Sequence, residues 1–458
     1  MKVIICGAGQ VGANIARYLA DEDTDITVID QSPELVQKIV DSLDVTGLVG
    51  FASHPDILEK AGARDAEMII AVTYADEVNM IACQICHSLF DVPTKIARVR
   101  HQSYLEPMWS DLFSRDHMPI DVIISPEVEV ARAISHRLAI PGAFDVIPLA
   151  DGRVSLIGVH CTEECPILET PLRQLTDLFP DLHIVIVAVS RGGEGIVPRG
   201  DDMLMEGDDV YFVADSAHLQ RAMAAFGHEE TEARRVIIVG GGNIGLNLAQ
   251  LVEASGKRVN LKLIEVDKKR AEVVAQRLER AVVIHGDALD TDILEEANVA
   301  ATETVVAVSN DDEVNILASM LAKRFGCQRA VTLINKSSYG PLIGSLGIDT
   351  VVSPRAITVS TILQHVRRGR IRSVHSLTEG FGELIEAEAL ETSSLVGVPV
   401  REAKLPEGVV LGAIVRGSEV LIPRGGSTVR SGDLVILFAA SEAVKQVEKI
   451  FSVKLEFF

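Results

Sequence analysis

Near its amino end the chain reads KVIICGAGQVGANIAR (Lys2–Arg17), and past its midpoint it reads RVIIVGGGNIGLNLAQ (Arg235–Gln250). A motif that recurs together with its surroundings is one folding unit written out again. Any fold for this chain therefore has to be assembled from two copies of a half. The copies stay in step for a long way. DITVID (25–30) matches NLKLIE (260–265), AVTYADEVNMIACQI (71–85) matches AVSNDDEVNILASML (307–321), and PIDVIISP (119–126) matches GIDTVVSP (347–354). Farther on, VAVSRGGEGIVPRGDDMLMEGDDVYFVA (187–214) matches GAIVRGSEVLIPRGGSTVRSGDLVILFA (412–439), with Pro198 over Pro423 and Asp208 over Asp433.

In the first part of each half, wholly apolar strands alternate with helical patterns such as PELVQKIVDSL (33–43). That alternation calls for a parallel sheet covered on both faces. The later part is short alternating strands punctuated by Gly-Asp and Gly-Gly turns, a smaller α+β unit. The expected fold class is α/β: two Rossmann-like, doubly wound parallel-sheet domains, each followed by a small α+β C-terminal module. The junctions fall at IPGAF (140–144), at the charged linker GHEETEARR (227–235) and at RRGRI (367–371). They set expected domains of 1–140, 141–228, 233–368 and 371–455.

Each glycine loop follows its first strand directly and opens a helix, the context that dinucleotide binding requires. Gly7 allows the tight turn, Gly9 lets a pyrophosphate approach the backbone, and Gly12 lets helix and strand pack closely. Asp30 and Glu265 end the second strand of each half, about twenty residues beyond the loop, where a carboxylate can accept from an adenosine ribose. A carboxylate there repels a ribose 2′-phosphate. NAD(H) is thereby favoured over NADP(H), while ATP and ADP carry the same free hydroxyl and stay open. Thr73 and Tyr74 follow the fourth strand at its carboxyl end, where ligands lie in an open sheet. Arg98 ends another apolar run and either faces phosphates or is a solvated arginine.

With 43 basic and 65 acidic residues the net charge is -22. Phosphate backbones need dense Lys/Arg, so nucleic acid is excluded as a partner, and so is direct adhesion to anionic lipid. No run approaches the roughly 18 apolar residues of a membrane span, and the apolar start leading into a glycine loop does not resemble a signal peptide. Six scattered cysteines make no disulfide framework, which fits a reducing cytoplasm. CQICH (83–87) matches the c-type haem attachment pattern literally, but it lies within a helical run and the other half has ASMLA there, so it reads as helix packing. Cys161 and Cys165, with only His160 and His183 nearby, lack a four-ligand zinc set; no metal is expected. A dehydrogenase would need a general acid/base on a substrate domain, and no His or Lys recurs in the matched module segments. Binding without catalysis is favoured over a tandem-Rossmann NAD-dependent oxidoreductase.

GAGQVG, AVTYADEVNMIACQ, IARVR and PRGDDMLMEGD in the first half, with GGGNIG, GDALD, AVSNDDEVN, LAKRFG and PRGGSTVRSGD in the second, carry a resemblance over the whole chain. The chain resembles the tandem regulator-of-K+-conductance (RCK/KTN) family, cytoplasmic nucleotide-binding regulatory subunits of bacterial potassium transporters. The resemblance implies nucleotide contacts at Gly7, Ala8, Gly9, Gln10, Val11, Gly12, Asp30, Thr73, Tyr74 and Arg98. In the second half it implies Gly240, Gly241, Gly242, Asn243, Ile244, Gly245, Glu265, Ser309 and Asn310. It implies a homotetrameric ring of nucleotide domains, peripheral on the cytoplasmic face of the inner membrane, acting through a TrkH/TrkG-like potassium-transporter subunit. Two departures matter. Gly286-Asp287 keeps the family's GD, but the first half has Gly50-Phe51; and where the first half keeps Ala97-Arg98-Val99, the second has Thr332-Leu333-Ile334. Leu333 cannot pair with phosphate, so the second site is expected to be weaker or more permissive than a tight first one, its anion left to the glycine loop and the helix dipole.

Overall fold

A computed structural model describes residues 1–20, 24–179, 182–230, 232–339, 346–366, 371–377 and 381–451. Of the expected junctions, residues 367–370, Thr231 of the linker and the last residues to 455 lie outside the described residues.

The first half opens with β1 (Lys2–Cys6), α1 (Gln10–Ala20), β2 (Asp25–Asp30), α2 (Pro33–Val40), β3 (Thr46–Val49), α3 (Pro55–Lys60), β4 (Met68–Ala71), α4 (Asp76–Phe90), β5 (Thr94–Arg98) and β6 (Val122–Ile124). The strands form one parallel sheet in the order β3-β2-β1-β4-β5-β6. Val3, Ile4, Ile5 and Cys6 of β1 have no exposed surface, because alternate side chains enter cores on opposite faces of the sheet. Ser32 caps α2, its Oγ accepting from Leu35 N at 3.3 Å, and Pro33 takes the first helical position. A helix, α5 (Pro126–Ala139), follows.

The first module is an antiparallel sheet of β7 (Ala143–Leu149), β8 (Val154–His160), β9 (Ile184–Arg191), β10 (Glu194–Ile196) and β11 (Asp209–Asp215), in the order β10-β9-β11-β8-β7. It carries α6 (Leu172–Leu178) and α7 (Leu219–Ala225). The repeat aspartates close these modules. Asp208, fully buried, takes a bidentate pair from Arg191 at 2.7 and 2.8 Å, and Asp433 takes the same from Arg416 at 3.0 and 2.7 Å. Burial pushes the Asp208 carboxyl up, but the Arg191 bonds and Met205 N–H outweigh it and hold the carboxyl below its ordinary value.

The second half repeats this plan. It comprises β12 (Arg235–Val239), α8 (Asn243–Ala254), β13 (Asn260–Glu265), α9 (Lys268–Arg277), β14 (Val282–His285), α10 (Thr291–Glu296), β15 (Thr304–Ala307), α11 (Asp312–Arg324), β16 (Arg329–Leu333) and β17 (Thr350–Val352). Its sheet order, β14-β13-β12-β15-β16-β17, is that of the first. Then come α12 (Pro354–Leu363) and a module of β18 (Ile371–Leu377), β19 (Gly382–Glu388), β20 (Val409–Arg416), β21 (Glu419–Leu421), β22 (Leu434–Ala440) and α13 (Val444–Phe451).

The last helix of each nucleotide unit does not stay on its own sheet. Val130, Ala131 and Ile134 of α5 share a core with Val236, Ile238 and Leu246 of the second half. Reciprocally, Val359, Ile362 and Leu363 of α12 share one with Val3, Ile5, Ile15 and Leu19 of the first. The two modules also pair. Leu156, Tyr211 and Val213 lie in one cluster with Leu384, Ala413 and Ile436, and a Cβ placed on Gly195 would fall 2.0 Å from the Phe381 ring.

The exchange gives a test. Ile134 is fully buried, so Ile134→Ala should cost about 2–5 kcal/mol, the range for deleting a large aliphatic side chain from a core. The loss should appear as faster hydrogen exchange in β12 and β13 of the other half, with β1 and β2 unchanged.

Candidate functional site

In the order 3-2-1-4-5-6 the connections reverse direction between β1 and β4, and the crevice at the carboxyl ends of those strands is where open sheets take ligands. The glycine loop lies there. Gly7 has φ +111° and its N–H donates to Ile29 O at 2.8 Å; Gly240 has φ +101° and donates to Ile264 O at 2.9 Å. A Cβ on Gly12 would sit 1.9 Å from Gly7 O, and one on Gly245 would sit 1.9 Å from Gly240 O, so the third glycine is required by helix–loop contact. A Cβ on Gly9 or Gly242 would meet nothing within 4 Å, which leaves the middle of the loop open to a ligand. The loop touches the end of the neighbouring strand: a Cβ on Gly7 would be 3.1 Å from Thr73 N, and one on Gly240 would be 2.8 Å from Ser309 N.

The acids at the second strand ends hold this loop. Asp30 accepts from Ala8 N at 2.7 Å and Ser32 N at 2.9 Å, and Glu265 from Gly241 N at 2.6 Å and Asp267 N at 2.9 Å. Each carboxylate oxygen keeps acceptor capacity for a ribose hydroxyl. The residue choices are linked. A Cβ on Gly241 would stand 3.0 Å from Glu265 Oε2, so the longer acid is paired with glycine and the shorter Asp30 with Ala8.

Thr73 and Arg98 are brought together by a residue that sequence reasoning missed. Asn79 is fully buried; its Oδ1 accepts from Thr73 N at 2.8 Å and Thr73 Oγ1 at 2.7 Å, and its Nδ2 donates to Thr73 O at 3.2 Å and Arg98 O at 2.9 Å. Asn315 does the same for Ser309 and Leu333: Oδ1 accepts from Ser309 N at 2.8 Å, and Nδ2 donates to both carbonyls at 3.0 Å. Asp76 accepts from Arg100 N and His101 N, and Asp312 from Asn335 N and Lys336 N, which anchors the following turn. The signal was present in the identical DEVN of both halves, which the repeat alignment used only to establish duplication.

Arg98 ends β5, half-buried, and its buried Nε donates to nothing among the described residues. Burial, followed by the charge of Arg100, pulls its pKa below the ordinary value. Arg100 is engaged elsewhere, with Nε on Glu127 Oε1 at 3.0 Å. Tyr74 does not face inward: it is 86 % exposed, with the Arg100 guanidinium 5.7 Å from its ring centre. Gln10 is exposed and Val11 half-buried at the helix start. In the second half, Leu333 occupies the strand end equivalent to Arg98, pairing with Val352 as Arg98 pairs with Ile124, and is buried. Ser309 is half-buried and Asn310 exposed.

The second loop carries a cation that the sequence reading did not single out. Arg270, in the first turn of α9, donates from Nε to Gly241 O at 2.6 Å and from Nη2 to Asn243 Oδ1 at 3.4 Å. Leu35 takes that place in the first half, each lying three residues beyond its helix cap, Asp267 or Ser32.

Cys83 and Cys86 are buried in the core beneath the first sheet, where burial pushes both thiols up, Cys86 to about 12. Cys161 and Cys165 are buried in the first module, and no group of His, Cys, Asp and Glu that could hold a metal occurs among the described residues. A cavity of about 380 Å³ lies at the opposite, amino end of β5. Its Lys95 Nζ is held by Asp121 at 2.8 Å and by two backbone carbonyls.

The TrkA-N domain model matches residues 3–126 and 236–354, and the TrkA-C domain model matches 157–227 and 384–452. The Trk system potassium uptake protein TrkA of Azorhizobium caulinodans is 53 % identical over 458 residues, covering 100 % of both chains. The chain belongs to the TrkA family. The TrkA of Halomonas elongata is 42 % identical, again over 100 % of each. These TrkA relatives are named for potassium uptake. Among solved structures, the "GsuK RCK domain" matches with a TM-score of 0.59 at 19 % identity, over 98 % of this chain and 94 % of that one. The "GsuK channel bound to NAD" matches with 0.58 at 19 %, over 98 % and 78 %. Both show the same fold. No helix among the described residues is long and apolar enough to cross a membrane.

The linkage of acid and loop residue is testable. Asp30→Glu should crowd the Ala8 methyl and destabilise the protein by about 1–3 kcal/mol, as overpacking does. Ala8→Gly added to it should recover most of that in urea unfolding, because the pair then matches Gly241 and Glu265.

Proposed function

We propose that this TrkA-family chain is a nucleotide-binding regulatory subunit that gates a Trk-type potassium uptake channel. NAD(H) is the first ligand, with ATP or ADP as alternates. The observation that carries this reading is Arg98: a half-buried cation with an unpartnered buried donor, tied through Asn79 to Thr73 against the glycine loop. A dinucleotide would place its adenosine ribose on Asp30, its pyrophosphate on the N–H groups of Gly9 to Val11, and its negative charge within reach of Arg98. The second cleft offers Gly240 to Gly245, Glu265, Ser309 and Asn310. The chain then acts as four units, 1–140, 141–228, 233–368 and 371–455. A homotetramer would gather its nucleotide domains into a ring under a TrkH/TrkG-like membrane subunit, at the cytoplasmic face.

The exchanged helices supply the coupling. A ligand that draws the crevice of one half closed moves β5 and β6, and α5, which follows β6, rests on the sheet of the other half. Ligand binding shifts the ring only so far as its affinity differs between ring states.

Calorimetric titration with NADH, NAD+, ATP and ADP tests this. Arg98→Leu removes charge-assisted hydrogen bonds worth about 1.5–3 kcal/mol and should weaken NADH binding at least about tenfold. Bound NADH should survive incubation with a panel of carbonyl acceptors. Steady NADH oxidation abolished by one substitution would instead establish the tandem-Rossmann oxidoreductase.

A further inference from the structure

The two clefts carry their cations on opposite sides of the switch point. In the first, Arg98 stands at the end of β5, on the side reached by way of β4. In the second, the equivalent Leu333 is buried, and the cation is Arg270, which comes from the side of β13 and α9. That is the side of the ribose-binding acid, Glu265, and so of the adenosine half of a ligand. Arg270 spans the loop there, from the Gly241 carbonyl to Asn243 at the start of α8. Of its five N–H donors, those on Nε and Nη2 bond to the loop itself, which holds the guanidinium beside the glycine loop.

The helix that presents Arg270 is charged against its own dipole. The first turn of α9 is Lys268, Lys269 and Arg270, with no acid in it, whereas the first turn of α2 contains Glu34 and no base. Cations at a helix N-terminus oppose the helix dipole. The Asp267 cap is the one acid at this helix start, and the bond to Gly241 O directs one of the three cations at the cleft.

We propose that Arg270 reads the phosphates next to the adenosine ribose in the second cleft, and that this cleft selects an adenosine mononucleotide bearing a 5′-di- or triphosphate. The far half of a dinucleotide would there meet buried Leu333 and gain no ionic contact. The first cleft, with Arg98 across the switch point and Leu35 where Arg270 would be, holds the extended dinucleotide. The inference rests on the nucleotide-binding reading above, and it gives the unequal halves different ligands rather than one strong and one weak copy of a single site.

The experiment titrates ADP, NADH and adenosine into the full chain as wild type, Arg98→Leu, Arg270→Leu and Arg270→Lys, with thermal unfolding run alongside. Arg270→Leu should lower ADP affinity at one class of site at least about tenfold, the loss expected for a hydrogen-bonded charge. It should leave NADH at the other class and adenosine at either class unchanged, and Arg270→Lys should restore part of the ADP affinity. Arg98→Leu should do the converse, weakening NADH while sparing ADP at the second class. Unaltered ADP binding in Arg270→Leu overturns the proposal, and so does an equal loss of adenosine, which would make Arg270 a brace of the loop. If the first class still responds to Arg98→Leu in either event, the nucleotide reading stands and only this inference falls. No uptake of any nucleotide by the wild type would sink both.

Discussion

Each sheet depends on a helix that belongs, in chain order, to the other half. Ile134 of α5 fills the second core and Ile362 of α12 fills the first, both without exposed surface. Exposing such a side chain forfeits roughly 1.5–3 kcal/mol of hydrophobic stabilisation, so neither half can complete its apolar cover alone. The exchange makes two binding clefts and two modules one mechanical object. The modules add to it: Ala150 N donates to the buried Glu386 carboxylate at 2.8 Å across the module contact.

Within each nucleotide domain the constraint is backbone proximity. The loop carbonyl of Gly7 or Gly240 lies so near the helix that only glycine fits opposite, and one carboxylate ties the loop to the second strand. On the other side of the crevice, one buried asparagine spends donors and acceptor alike on two strand ends. A buried amide satisfied in this way costs little, whereas removing it would strand several backbone groups. Both loop frames are therefore braced by the chain's own hydrogen bonds, and the side chains set on them differ between the halves.

Some of this was readable from local pattern. The glycine spacing, the acids Asp30 and Glu265, and the contrast of Arg98 with Leu333 are properties of short stretches and of their duplication. Asn79 and Asn315 were visible as letters but not as clamps, since an asparagine in a helix pattern does not announce which strand ends it will meet. Nothing in the sequence singled out Arg270, and with Leu333 at the strand end the second cleft was expected to leave its anion to the glycine loop and the helix dipole. Tyr74 was placed correctly at the end of the fourth strand, but its ring turns outward to Arg100.

The amino-acid order sets the repeat, the strand–helix alternation and the loop chemistry, because those follow from hydrophobic periodicity and from steric limits acting over a few residues. It does not say on which sheet α5 and α12 come to rest, for an apolar helix face suits either of two nearly identical sheets. Nor does it say which cation reaches which loop, since Arg98 and Arg270 arrive there from different strands and opposite sides. Those outcomes depend on burying both apolar faces at once and on long-range proximity, and they are what make two similar halves into one object with two unlike clefts.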